Sequence, residues 1–313
     1  MTYESDIDRT EPVAISDPAL PRLISVRQRV KNAYKILTSN SLLLSGTLIL
    51  LVTVLAVACA GWISHANPIL QSLSHRVEPP SAEHWFGTDQ LGRDMLSRVL
   101  YGGRATLIIV LFSALAIAPV GLLVGILAGY YGGVIDTLFM RITDIFFAFP
   151  RLVLALALSA VLGAGLFNAV FAIVISAWPP YARQARAEVL TIMEMDFIKA
   201  ARLSGASDMR IIVHYILPLC ASSAFIRLAL DLSGIIIIAA GLGFLGLGIQ
   251  PPTPEWGAMI SEGRQYISTA WWISLFPGLS ILLMSAAFTL LGDGLRDTFD
   301  PKKELSQHDQ PTA

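Results

Sequence analysis

The amino-acid sequence predicts an all-α integral membrane protein with six transmembrane helices. Of its 313 residues, 54% are hydrophobic and only 14% are charged, and the mean hydropathy is +0.63. A soluble domain carries roughly a quarter charged residues. Lipid is therefore the main solvent predicted for this chain. The net charge of −1 gives no electrostatic reason to expect a nucleic-acid partner.

Six apolar segments are each predicted to cross the membrane, because roughly 20 apolar residues span its hydrocarbon core. A Gly-Ala-Gly turn at residues 163–165 divides the long uncharged stretch 152–182, so the third span is predicted to begin upstream, near Arg141. The predicted spans cover residues 42–63, 105–129, 141–162, 168–181, 221–247 and 271–291, within a membrane domain of residues 41–300.

The distribution of Lys and Arg predicts the orientation of these spans. Placing the N-terminus inside the cell puts fifteen of the 22 basic residues in the cytoplasm and five outside, as the positive-inside rule requires. Residues 1–40 and 301–313 are then cytoplasmic tails, residues 66–104 form a periplasmic loop, and residues 183–218 form a cytoplasmic loop. The protein is thus predicted to cross the plasma membrane of a cell several times.

Five charged residues lie within or at the ends of the predicted spans. Arg141, Asp144 and Arg151 stand three and seven residues apart, which places them on one face of a straight helix. Arg227 and Asp231 have the i, i+4 spacing of a helical ion pair. Charges inside spans usually face a bundle interior or water. They can line or gate a pathway, or they can fix helix packing, and the sequence leaves both interpretations open.

The sequence gives no sign of catalytic or cofactor chemistry. A phosphate-binding loop needs a Gly directly before a Lys, and no Lys of this chain follows a Gly. ATP must therefore be bound by another chain if it drives any activity here. The five histidines have no metal-ligand spacing and the two cysteines make no disulfide framework. We expect no metal site, no cofactor and no catalytic residue.

The cytoplasmic loop contains a helix, a glycine break and a second helix. Gly205 suits the left-handed position that ends a helix, and Ser207 suits the N-cap of the next one. Pro218 is predicted to mark a hinge into the fifth span. Ala200 and Ala201 form a small, flat patch that another protein could approach closely.

This loop resembles the EAA loop of ATP-binding-cassette (ABC) importer permeases. The residues that fit the spacing of the motif are Ala200, Ala201, Gly205, Leu217 and Pro218, and Lys199 stands where the motif name has Glu. The resemblance implies that these six residues belong to a coupling helix and its flank, and that this helix docks into a groove on the ATPase subunit.

Three further segments resemble the C-type permease of dipeptide, oligopeptide and nickel importers. They are residues 84–94, residues 243–257 and the end of the chain from 292 to 301. The similarity covers roughly residues 40–303. Permeases of this type often have a Glu in the fifth span, where this chain has Ala239 and Ala240. A role of that Glu in lining the pathway therefore cannot be assigned to this chain.

The resemblance implies a permease subunit that forms half of a translocation pathway for di- or oligopeptides. Its implied partners are a B-type permease subunit, two ATPase subunits that hydrolyse the ATP, a periplasmic or extracellular substrate-binding protein, and membrane lipid. Nickel chelates or another small solute remain alternative substrates. A secondary transporter is an alternative of another class, but the inverted repeats expected of one are not evident in the sequence.

Overall fold

The structure, a computed structural model, describes residues 40–298. The two predicted tails, residues 1–40 and 301–313, thus lie outside the described residues, apart from Asn40. Regular structure in the described part is helical, with one isolated β-bridge between Thr88 and Asp94. The predicted all-α class is confirmed.

Twelve α-helices follow one another along residues 40–298. They are α1 (Ser41–Ala58), α2 (Ala60–Ile63), α3 (Met95–Tyr131), α4 (Gly133–Phe147), α5 (Arg151–Leu162), α6 (Leu166–Ala177), α7 (Pro179–Met193), α8 (Asp196–Leu203), α9 (Asp208–Ile211), α10 (Leu217–Phe244), α11 (Trp256–Gly263) and α12 (Trp272–Thr298). Short 3₁₀ turns occur at Leu73–His75 and Arg264–Tyr266, and a π-helical turn at Ile212–Ile216 joins α9 to α10.

Four described helical segments are long and apolar enough to cross a membrane: Ser41–Ala58, Met95–Tyr131, Asp208–Phe244 and Trp272–Thr298. The pair α4 and α5 makes a fifth if it counts as one span. The apolar helix α6 has 12 residues, fewer than the roughly 20 that a straight crossing needs. The count of six spans and their orientation therefore stay predictions.

The third predicted span, residues 141–162, is not a straight helix. Helices α4 and α5 meet at an angle of 92°, with Pro150 directly before the first residue of α5. Proline has no N–H to continue a helix, and it pushes the preceding residue toward extended backbone. Arg141 and Asp144 consequently lie on α4, whereas Arg151 begins α5. The prediction that these three residues share one helix face is wrong.

Close packing of α3 against α7 organises the middle of the bundle. Gly121, Gly125 and Gly129 recur every four residues along α3 and contact α7. A Cβ added at Gly125 would lie 2.3 Å from the carbonyl oxygen of Ala182 and 2.7 Å from the Cβ of Ala185. Small residues at this spacing let helix backbones approach closely in lipid. The close packing of α3 against α7 thus depends on glycine, which has no side chain, at these positions of α3.

The segment between α2 and α3 (residues 64–94) is held in place by a buried ion-pair network. Asp89 and Arg93 belong to this segment and bond at 2.6 Å, and Arg93 and Arg98 each donate to Glu262 of α11 at 3.0 Å. Asp89, Arg93 and Arg98 are at most 3% exposed. Two cations and two anions balance, which offsets the large cost of burying charge. The network joins this segment to α3 and α11.

Candidate functional site

The predicted cytoplasmic loop, residues 183–218, begins within α7 and contains the short helix α8. This helix buries Ile198 and exposes Lys199 and Ala200. It ends at Gly205, whose φ of +80° is the left-handed conformation that favours glycine. The amide of Ala206 bonds to the carbonyl of Ala201 at 3.1 Å. With the Gly205 amide bonded to the Arg202 carbonyl at 3.0 Å, this is a Schellman C-cap.

One face of α8 is fixed to the end of α3. The hydroxyl of Tyr130 donates to Asp208 Oδ1 at 2.6 Å, and the guanidinium of Arg202 lies 5.6 Å from the centre of the Tyr130 ring. Hydrogen bonds to a charged acceptor are roughly twice as strong as neutral ones. Tyr130 therefore ties both sides of the glycine break to a membrane helix.

The loop also presents apolar side chains to its surroundings. Leu203 is 90% exposed, Met209 is 68% exposed and Phe197 is 43% exposed. Met209 lies on the side of α3, where it lines an apolar groove with Tyr131. Lys199 lies 3.9 Å from both Glu194 and Asp196 and is itself exposed, so these ion pairs stabilise little.

The remaining loop residues differ from the expected local structure in two respects. Ser207 is the N-cap of α9, but its side chain makes no capping hydrogen bond. Leu217 and Pro218 lie at the start of α10 and continue the helical run Asp208–Phe244 through the π turn. Pro218 has no N–H to bond back into this run, and the π turn lies just before it. The chain is thus helical through Pro218, where a hinge was predicted.

The charges of α4 pair with α7. Asp144 accepts from Arg183 at 2.6 Å, and Asp136 accepts from Arg186 at 2.6 Å. Arg183 also stacks on the ring of Phe147, 4.0 Å from its centre. Arg141 is exposed on α4. The contacts of Asp144 thus tie two helices together.

Arg151, Arg227 and Asp231 form a second polar cluster, with Tyr181 and Gln184 of α7. Arg227 Nε lies 3.9 Å from Asp231 Oδ2, and Arg227 Nη1 donates to Gln184 at 3.2 Å. Arg151 packs against α10 beside Gly234, three residues from Asp231. Its Nε and Nη2, like the Tyr181 hydroxyl, are buried without a hydrogen-bond partner among residues 40–298. The cluster thus contains two guanidinium groups and one carboxylate, and Asp231 Oδ2 is likewise buried without a hydrogen-bond partner in this part of the chain.

Sequence reasoning did not find two groups that matter to this architecture. Tyr130 gave no signal, because its partner Asp208 is 78 residues away. Glu255 caps α11 with a fully buried carboxylate that accepts the amides of Gly257 and Ala258 at 2.9 Å. Burial raises the pKa of Glu255, and the two amide donors oppose that rise. Glutamate is not one of the usual N-cap residues, so its capping role gave no clear signal in the sequence.

Apolar helices of spanning length, joined by an exposed amphipathic helix anchored to the bundle, define a membrane-embedded helical protein. The family profile described as "Binding-protein-dependent transport system inner membrane component" matches residues 121–305. That is more than half of the chain. The chain belongs to this family. It is a multi-pass protein of the bacterial inner membrane, and its role is that of a transport subunit of an ABC importer that works with a substrate-binding protein.

Curated relatives are similar over most of their length. The dipeptide transport system permease protein DppC of Alkalihalophilus pseudofirmus is 43% identical over 272 residues, 87% of this chain and 90% of that protein. The probable D,D-dipeptide transport system permease protein DdpC of Escherichia coli K12 is 41% identical, over 85% of this chain and 89% of that protein. The glutathione transport system permease protein GsiD of Escherichia coli O6:K15:H31 is 47% identical, over 71% of this chain and 74% of that protein.

A solved structure shares the fold. The inward-facing methionine ABC transporter MetNI superposes with a TM-score of 0.50 at 19% sequence identity, covering 66% of this chain and 98% of the MetNI chain. The family resemblance expected from the cytoplasmic loop is confirmed by the profile match and by these relatives.

Proposed function

We propose that this chain forms half of the translocation pathway of an ABC importer for di- or oligopeptides. The observation that carries the proposal is the 43% identity, over 87% of the chain, to a relative named as a dipeptide permease. The name of the glutathione permease relative points the same way, because glutathione is itself a small peptide-like solute. Nickel chelates or another small solute are the alternative cargo for the same machinery.

The second half of the pathway comes from a B-type permease subunit in this proposal. Two ATPase subunits hydrolyse the ATP, and an external binding protein delivers the substrate. Both termini and residues 183–218 face the cytoplasm, and six segments cross the membrane. This orientation is supported by the basic residues, of which it places fifteen in the cytoplasm and five outside.

Helix α8 is the coupling element in this proposal, with Lys199, Ala200, Ala201 and Gly205 at the ATPase and Leu217 and Pro218 at its junction with α10. The 90% exposure of Leu203 supports docking, because an apolar side chain so exposed gains stability when a partner covers it. The contacts of Tyr130 with Asp208 and Arg202 then pass the movement to α3.

The cluster of Arg151, Arg227 and Asp231 is the candidate polar lining of the pathway. Its excess positive charge and its buried unpaired donors suit the carboxylate that every unmodified linear peptide carries. Arg141 and Asp144 are assigned instead to packing, since Asp144 pairs with Arg183. If the cluster only fixes helix packing, Arg151→Gln will lower the amount of assembled complex and leave transport per complex unchanged.

The test is uptake by the complete transporter in cells that lack their own peptide importers. A radiolabelled dipeptide should accumulate only when this chain is present with its partner subunits. A C-terminally amidated dipeptide should accumulate more slowly if the carboxylate is recognised. Nickel-chelate uptake without any peptide uptake would overturn the peptide proposal and establish the alternative cargo.

A further inference from the structure

The segment between α2 and α3 brings together two histidines and a glutamate that lie up to nine residues apart in sequence. One ligand atom from each of His75, Glu78 and His84 lies within 4.8 Å of the other two. His75 Nδ1 is 3.0 Å from Glu78 Oε1, and the His75 and His84 rings are 6.1 Å apart between centres. Neither the ion-pair network nor the transport role uses these three side chains.

The backbone that carries His75 and Glu78 is fixed. Thr88 donates its hydroxyl to the His75 carbonyl at 2.5 Å, and its Oγ1 accepts the Glu78 amide at 2.8 Å. The Thr88 amide bonds in turn to the Glu78 carbonyl at 3.0 Å. Between the two residues, Val77 has a φ of +55°, which is rare for a β-branched residue. This turn holds His75 and Glu78 on the same side of the chain.

His84 is oriented by a carboxylate. Its Nδ1 donates to Asp94 Oδ1 at 2.9 Å, and Asp94 also accepts the Ser97 amide at 2.8 Å as the N-cap of α3. The side chain of Asp94 is 9% exposed and that of His84 is 18% exposed. With Nδ1 engaged, Nε2 of His84 is the nitrogen left to bind a ligand. Histidines that ligate metals almost always donate their other nitrogen to a carboxylate, carbonyl or water in this way.

We infer that His75, Glu78 and His84 form a binding site for a divalent transition-metal ion of the Zn²⁺ type. Two imidazoles and one carboxylate are a ligand set that Zn²⁺ accepts, with a fourth position open to water. Hard cations such as Mg²⁺ prefer oxygen ligands.

The distances fit this ligand set after a small adjustment of the side chains. Tetrahedral ligation at about 2.0–2.1 Å places ligand atoms about 3.4 Å apart. His75 and Glu78 already meet this spacing, and their side chains are 44% and 40% exposed, so they are free to turn toward His84. The bound ion would cross-link the turn at residues 73–78 to the start of α3.

A zinc titration of the full-length chain in detergent micelles, against a chromophoric chelator, tests the site. We expect one equivalent of Zn²⁺ per chain and none of Mg²⁺ at the same concentration. His75→Ala and His84→Ala should each weaken Zn²⁺ binding at least tenfold. His214→Ala is the matched control, because His214 is an exposed histidine outside the cluster, and it should bind as the wild type does.

Asp94→Asn separates a lost ligand from a misfolded chain. Asparagine keeps the N-cap of α3 but removes the carboxylate that orients His84, and loss of such a partner typically costs 10–100-fold in metal affinity. Zn²⁺ should also raise the Tm of the wild type and of His214→Ala, but not that of His84→Ala. The inference is overturned if the wild type takes up no stoichiometric Zn²⁺, or if His84→Ala binds it with unchanged affinity.

Discussion

Replacing Gly205 should disturb the coupling of this chain to its ATPase partners without affecting membrane insertion. The Gly205→Val change causes no steric clash within the chain, because a Cβ at this position meets nothing within 4 Å. Its cost comes from the φ of +80°, which disfavours an L-residue by about 1–2 kcal/mol. That amount lowers the population of the Schellman cap by roughly five- to thirtyfold relative to open conformations.

We expect the Gly205→Val variant to reach the membrane at normal abundance. Its transport rate should fall by at most roughly five- to thirtyfold, because transport cannot fall more than the population of the capped loop does. Immunoblotting of membranes, ATPase co-purification and labelled-substrate uptake would measure the three quantities. Gly205→Asn should stay close to the wild type, because asparagine tolerates the left-handed conformation. If Gly205→Asn fails as badly as Gly205→Val, side-chain bulk at the docking surface is responsible and the conformational argument is refuted.

Gly246 offers a matched control. Its φ is +75°, a Cβ there also meets nothing within 4 Å, and the amide of Leu247 bonds to the carbonyl of Leu242 as in the cap at Gly205. Gly246→Val should therefore introduce the same strain at the C-terminal end of α10, outside the loop of residues 183–218. It should leave ATPase co-purification at the wild-type level. Equal loss of the ATPase partners in both variants would show general destabilisation and would contradict the coupling role of α8.

Three further outcomes are expected. A reporter fused after Ala313 should be active only in the cytoplasm and one placed within residues 66–100 only outside it, as the basic residues predict. Asp231→Arg should reduce assembly by leaving Arg227 without its counter-charge at 3.9 Å, and the exchanged pair Arg227→Asp with Asp231→Arg should partly restore it. Gly125→Val should prevent accumulation of the folded chain, because overpacking against backbone costs at least about 1–3 kcal/mol.

Each of these outcomes has a control. An externally active reporter after Ala313 would refute the orientation. An exchanged charge pair that assembles no better than the single Asp231 variant would show that the pair does not act as a unit. Gly234→Ala is the control for Gly125→Val: the nearest atom to a Cβ there is 4.0 Å away, so this variant should accumulate normally. The packing argument fails if both glycine variants accumulate alike.

The sequence alone determined the class of protein and the position of the glycine break at Gly205. Spanning segments are readable because lipid cannot satisfy backbone polar groups, so each crossing requires a continuous apolar run. Gly205 was readable for a similar reason, since few residues other than glycine adopt the conformation that ends α8. These are local constraints, and each is expressed within a short stretch of chain.

Contacts between distant segments were decided only by the tertiary structure. The spacing of Arg141, Asp144 and Arg151 implied one face, but the 92° bend at Pro150 separates them and places Arg151 against α10 beside Gly234 instead. A proline signals a break in a helix but gives no direction for the chain after it.

Charged side chains and histidines show the same limit. Glu262 bonds to Arg93 across 169 residues, so no spacing rule could pair them. The cluster of His75, Glu78 and His84 has no motif spacing either, because an irregular turn, and not a helix or strand repeat, brings it together. Local sequence determines backbone conformation and burial, whereas the meeting of two side chains depends on the path of all the chain between them.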